Sequence, residues 1–369
     1  MIAFLWSTYI LSAGIRLLWW LLFRIGLSQR KHPAISEKLP FEISIIVCAH
    51  NNCKGLQNLV PALLAQNFPT FEVIVVNDRS TDETEHWLAS QKQMDNRLQS
   101  ITITKTPNDW NAKKYALQQG IKSAKYPIFA LTDSDCIPLS KQWLQHIAQA
   151  FKNPSINIYL GYSPYRKTKG VLNGLIGTET LFTVFQYFSL ANLGLTYMGV
   201  GRNLAYRKSF IEKHLDNFPF QTHIGGDDDL LISSLSKGND AQISINEESF
   251  ILSEPETTWK SWWKQKRRHL STGQKYKFST QCLLGSYWLS NLLFWSSFII
   301  LCLYCTELNR IIIAHSIILL LGIIILQRYF RIFQEGRLLL LFPFWDFLYI
   351  ASSSIIGIST FLNKNKKWS

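Results

Sequence analysis

Both ends of this chain are too apolar for an ordinary soluble domain, and that limits what can lie between them. Residues 2–23 form an almost uncharged run, broken only by Arg16. The basic residues come after the run, at Arg24, Arg30 and Lys31. A secretory leader begins with a basic segment and ends in small residues. The order here predicts instead a retained anchor over residues 1–27 whose C-terminal end faces the cytoplasm, because cationic flanks stay inside. Arg16 is expected to reach towards the interface along its aliphatic stem. At the other end, residues 283–306 are long enough to span a bilayer and residues 311–326 form a second candidate. Residues 307–310 are read as a tight link between them. Arg328, Arg331 and Arg337 mark a return to the cytoplasm. Residues 338–362 contain Pro343 and Asp346 and are followed by a lysine-rich end. A full span would put those lysines outside, whereas a re-entrant or interfacial start would keep them inside. The C-terminal membrane region, 283–362, is therefore expected to hold two or three helices.

Composition agrees with this division. Only 17% of the 369 residues are charged, against roughly 25% in average soluble domains. The net charge of +13 favours anionic lipids or anionic substrates. No nucleic-acid-binding motif is present, so nucleic acid is not an expected partner. The six cysteines show neither zinc-site spacing nor a disulfide pattern, and are read as reduced thiols.

Residues 39–255 alternate between β-branched runs and helix-patterned stretches. Residues 43–48 and 71–76 read as buried strands, followed by strands at 98–104 and 128–132, with helices between them. This alternation predicts an α/β fold with a mostly parallel sheet. Ligands of such sheets bind beyond the carboxyl ends of the strands. Asn51, Asp78, Asp133 and Asp135 all fall there.

Asp133-Ser134-Asp135 directly follows a strand. Two carboxylates so spaced can hold a hard divalent ion together with a diphosphate; an isolated pair of this kind is more often a solvated turn. Asp227, Asp228 and Asp229 precede a helical run over 230–235. They could cap its N-terminus, yet three adjacent like charges also raise the pKa of at least one, which suits a general base. Residues 256–280 are rich in tryptophan and basic side chains, with seven Lys or Arg between Lys260 and Lys277. That mixture suits a membrane interface, and one of its arginines could also clamp a diphosphate.

In order, the stretches IIVCAHN (45–51), VVNDRSTD (75–82), DSD (133–135), GDDDLL (226–231) and QKRR (265–268) resemble the membrane-bound, inverting family-2 glycosyltransferases. The resemblance implies a Rossmann-like GT-A nucleotide-sugar-binding domain flanked by transmembrane helices. It implies that Ala49, Asn51 and Asp78 cradle the nucleotide, and that Asp135, helped by Asp133, holds Mg²⁺ or Mn²⁺ and the diphosphate. Lys113 or Lys114 resembles a basic donor-binding residue. Asp228 corresponds to the catalytic base with Asp227 beside it, or with the register slipped by one. Gln265 and Arg268 match the last motif, in which His269 replaces a tryptophan. Residues 199–206 resemble a loop near donor sugar and acceptor. The implied activity is metal-dependent transfer from a nucleotide-sugar, a UDP-sugar rather than a GDP-sugar, to a lipid or lipid-linked glycan of the cell envelope, with the catalytic domain on the cytoplasmic face of the inner membrane. The alternatives are a processive polysaccharide synthase and a non-catalytic membrane scaffold.

Overall fold

The structure, a computed structural model, describes residues 2–28, 41–215, 222 and 229–362. The chain forms two compact units. One contains Arg30–Arg166 and Leu190–Pro255; the other contains Met1–Gln29, Lys167–Ser189 and Glu256–Ser369.

The first unit is built on a seven-stranded sheet. Its strands are β1 (Ile43–Ala49), β2 (Phe71–Asp78), β3 (Leu98–Ile103), β4 (Ile128–Asp133), β6 (Ile158–Leu160), β7 (Leu204–Arg207) and β8 (Ala241–Ile243), in the order β3-β2-β1-β4-β7-β6-β8. Two short strands, β5 (Cys136–Pro138) and β9 (Ile251–Ser253), pair separately and antiparallel. β1 to β4 are mutually parallel, and β7 lies antiparallel to β4. β1 and β2 are covered on both faces, which is why they read as unbroken apolar runs rather than as an alternation. Helix Cys53–Leu64 covers part of this sheet with Leu56, Leu59, Val60 and Leu63, all fully buried. Each contributes about 1.5–3 kcal/mol of burial. The strand order turns between β1 and β4, and at such a switch point the helices leave a crevice beyond the strand ends. β1, β2 and β4 each extend one or two residues past their apolar runs, so Asp78 and Asp133 are themselves strand residues.

The second unit is helical. Among the described residues, three helices are long and apolar enough to cross a membrane: Ile2–Ser28, Phe278–Tyr304 and Leu308–Ile332. The connection between the last two is shorter than the 307–310 link, since Arg310 already lies in the helix and pairs with Glu307 at 2.7 Å. The stretch 338–362 is broken by a 3-10 turn, Gly336–Leu339, before helix Phe342–Leu362. Arg16 departs from expectation. It does not reach towards an interface: its side chain is fully buried and meets Asp346 at 2.5 Å. The guanidinium also lies 4.5 Å from the Trp20 ring and 4.6 Å from the Phe294 ring, and Trp295 Nε1 donates to Asp346 at 2.7 Å. An opposite charge inside the bundle removes the need to reach for water. The N-terminal helix also runs close to Leu308–Ile332: a Cβ on Gly322 would lie 2.5 Å from the Trp20 ring.

Segment Lys167–Ser189, which lies inside the 39–255 stretch, groups with this helical unit. It carries most of helix Val171–Asn192, whose Phe182 and Phe185 pack on Phe330 and whose Phe188 packs on Phe333.

Candidate functional site

The site in the sheet unit begins where β1 and β2 stop. Asn51 and Arg79, each just past a strand, both take left-handed backbone conformations (φ 49° and 53°). This geometry is costly for a non-glycine residue and persists only where its surroundings impose it. Here they do. The Asn51 amide donates to Ser80 Oγ at 2.9 Å, and Asn51 Oδ1 accepts from the Thr81 amide at 2.7 Å. The Cys53 amide donates to Asp82 at 3.0 Å. Asn52 caps helix Cys53–Leu64 through the Gly55 amide and donates to Ser134 Oγ at 2.9 Å. The ends of β1, β2 and β4 are thus laced together by side chains.

Three of the expected nucleotide-binding residues sit on this floor. Ala49 is buried at the end of β1 and Asn51 forms the turn. Asp78 is buried, and Arg79 clasps both of its carboxylate oxygens at 2.8 and 3.1 Å. That clasp lifts the Arg79 guanidinium above its ordinary value, the hydrogen bond outweighing the loss of water.

Asp133 ends β4 and Asp135 precedes β5. Lys113 Nζ pairs with Asp133 at 3.0 Å, whereas Lys114 is fully buried. Asp135 is an exposed residue, yet protein atoms around its carboxyl displace part of its water. That desolvation raises its carboxyl above the usual range, with the Asp133 charge adding to it; Arg202 and the Cys136 thiol oppose the rise. Burial, Asp133 and Asp135 together push the Cys136 thiol far up, so it is inert as a thiolate. Arg202 belongs to the sequence stretch 199–206 but had no assigned role. It lies in the 3-10 turn Gly201–Asn203 just before β7, and β7 pairs antiparallel with β4. Sequence carried no signal for this, because the pairing joins segments some seventy residues apart.

Several buried polar atoms here have no hydrogen-bond partner among the described residues: Asn77 Nδ2 and Oδ1, Thr132 Oγ1 and Arg202 Nη1. Buried polar groups are rarely left so, and these keep donor and acceptor capacity for a polar ligand. Among the described residues no cluster of three or more His, Cys, Asp or Glu could hold a metal. The two carboxylates of Asp133 and Asp135 nevertheless fit a hard ion of the Mg²⁺ type, which keeps most of its shell for phosphate oxygens and water.

The acidic cluster is only partly visible. Asp229 opens helix Asp229–Leu235; Asp227 and Asp228 lie outside the described residues. Gln265 and Arg268 belong to the helical unit, on helix Trp259–Gly273. Gln265 is half-buried and Arg268 exposed. Their neighbour Lys266 is buried and pairs with Glu179 at 2.8 Å, so one cation of the QKRR stretch holds its own unit together.

The mostly parallel mixed sheet, with acidic residues at its strand ends, has the GT-A type of fold. The sequence model of glycosyl transferase family 2 matches residues 44–215 of the chain. It is 24% identical over 252 residues to the probable glycosyltransferase YdaM of Bacillus subtilis (strain 168), covering 63% of this chain and 55% of that protein. It is 28% identical over 159 residues to the 4,4'-diaponeurosporenoate glycosyltransferase of Staphylococcus aureus (strain USA300), covering 42% of this chain and 41% of that protein. The chain thus spans about half the length of the curated relatives it matches. In structure it resembles the mannosyltransferase PcManGT from Pyrobaculum calidifontis in complex with GDP-Man and Mn²⁺, with a TM-score of 0.65 over 99% of each chain. At 14% identity that likeness speaks for the fold.

Proposed function

We propose that the chain transfers a sugar, with inversion, from a nucleotide-sugar to a lipid or lipid-linked glycan. The single observation that carries this reading is the strand-end cluster: Asp133 and Asp135 beside Lys113, with unused buried polar atoms near them, in a stretch that the family-2 model matches. Ala49, Asn51 and Asp78 line the nucleotide end, and a UDP-sugar is the donor taken from the family resemblance. Asp133 and Asp135 would hold Mg²⁺ or Mn²⁺, which would supply positive charge against the leaving diphosphate. Lys113 orients Asp133 through their 3.0 Å contact. Asp228, with Asp227 beside it, takes the proton from the acceptor hydroxyl, and that oxygen attacks the anomeric carbon from the face opposite the diphosphate. Gln265 and Arg268 serve the departing nucleotide diphosphate. Three apolar helices and a tryptophan-rich basic helix support an acceptor presented by a membrane. In this reading residues 39–255 form the catalytic domain and 256–280 an interfacial segment, both on the cytoplasmic side. A reporter fused after Ser279 behaves as cytoplasmic; export of that reporter overturns the orientation.

The chemistry is tested on the full chain with a panel of UDP- and GDP-sugars and a membrane lipid extract, scoring diphosphate release. Asp228→Asn keeps donor binding but lowers transfer on the order of 10²–10⁴-fold. Asp135→Asn weakens Mn²⁺-dependent nucleotide binding and turnover together. If Asp227→Asn, Asp228→Asn and Asp229→Asn all turn over normally, the acidic cluster is a helix cap and the mechanism falls.

A further inference from the structure

The β4–β7 ladder pairs Leu131 with Leu204 and Ala130 with Ala205. The ladder stops there, and the 3-10 turn Gly201–Asn203 carries Arg202 just before β7, near the end of β4. The Arg202 guanidinium lies 4.3 Å from the centre of the Tyr165 ring. Its charge is felt at both Asp133 and Asp135. Its Nη1 is buried without a hydrogen-bond partner among the described residues.

The turn that carries it is fixed. Asn203 is fully buried, donates from Nδ2 to the carbonyls of Tyr162 and Ser249 at 2.8 Å each, and accepts from Trp143 Nε1 at 3.0 Å. These bonds anchor the turn from which Arg202 projects. Tyr165 is held in turn by its bridge to Ser253, on the strand that pairs with β5 directly after Asp135.

Charge balance says what this arginine is for. Two carboxylates suffice to face one divalent ion, and Lys113 already answers Asp133. A second cation, over the Tyr165 ring and with an N–H unused among the described residues, is surplus to these two acids. It matches the excess negative charge of a diphosphate, whose oxygens suit the guanidinium fork. We infer that Arg202, over the Tyr165 ring and on the turn that Asn203 anchors, binds the donor's diphosphate directly and supplies a share of nucleotide affinity that does not depend on the divalent ion.

This inference rests on the glycosyl-transfer reading, and calorimetry separates the two. UDP and GDP are titrated into the full-length chain in detergent, one arm with EDTA and one with Mn²⁺. Removing a charge-assisted hydrogen bond costs on the order of tenfold to a hundredfold in affinity. Arg202→Ala is expected to weaken nucleotide binding by that factor in both arms. Arg202→Lys, which keeps the charge and loses the fork, falls between; if the alanine variant fails to fold, the lysine variant decides alone. Asp135→Asn should weaken binding only in the Mn²⁺ arm. Equal binding by wild type and Arg202→Lys in EDTA overturns the proposal. So does a loss confined to the Mn²⁺ arm, which would make Arg202 a positioner of the carboxylates. A wild-type chain that binds neither nucleotide in either arm overturns the transferase reading together with this one.

Discussion

In the helical unit, Arg16 and Asp346 are both fully buried, one against the other, with aromatic rings on the cation and an indole N–H on the carboxylate. In the sheet unit, Asp133 and Asp135 reach the surface at a strand end and stand beside Lys113 and Arg202. The first arrangement is closed: each charge has its partner inside the fold. The second is open: its carboxylates are accessible from solvent. A charge that folding has already satisfied holds structure. A charge placed at a strand end and left open to solvent can act on a ligand.

The comparison is most easily broken at the closed pair. Asp346→Ala leaves a buried guanidinium without its counter-charge and is expected to cost about 3–5 kcal/mol. Arg16→Met with Asp346→Leu should recover most of that loss, because neither charge then remains buried. Thermal unfolding in detergent reads both, and a single variant as stable as wild type would mean that the pair does not hold the helices. A smaller effect is expected at the frame of the open site. Asn203→Ala strands two carbonyls and the Trp143 N–H, at about 1–3 kcal/mol for each buried group left unpaired. An unchanged melting temperature would show that Arg202 is not aimed by this turn.

Two helix caps sharpen the contrast further. Thr258 caps helix Trp259–Gly273 through the Ser261 amide at 3.1 Å, and Asn52 caps Cys53–Leu64 while also holding Ser134. Alanine at either should cost about 1 kcal/mol, but only Asn52→Ala should also weaken nucleotide binding. Equal binding losses from the two would remove the distinction. The smallest effect expected is a pH dependence. Burial pushes the largely buried His146 below its ordinary value, and Glu248, 3.5 Å away, only partly opposes it. The unfolded chain then binds the extra proton more readily than the folded one. Stability is therefore lost as pH falls through the ordinary histidine range near 6.5. His146→Gln should flatten the melting curve between about pH 7 and 5, and a slope equal to wild type would rule the histidine out.

Much of the sheet was legible because its strands are local. β1, β2 and β4 are short β-branched runs ending in polar residues, and a buried parallel strand has no other signature. The acids at 133 and 135 could be placed at a strand end for the same reason. Arg16 was misread because a charge in an apolar run carries no mark of its partner, and Asp346 lies far away in sequence. Helix Val171–Asn192 was not distinguished from the soluble stretch around it. Its apolar residues read equally well as core, and only the aromatic contacts of Phe182, Phe185 and Phe188 assign most of it to the helical unit.

The sequence by itself determined the class of the fold, the apolar ends and the order of the acidic motifs, because each is written in residues close together along the chain. Tertiary structure alone decided which charges meet. It put Lys113 rather than Lys114 on Asp133, buried Lys266 against Glu179, closed Arg16 on Asp346, and brought Arg202, in the turn before β7, within reach of the charges of both acids. Coulomb energy depends on distance and on the water displaced between two groups, and neither is fixed until the strands and helices have packed.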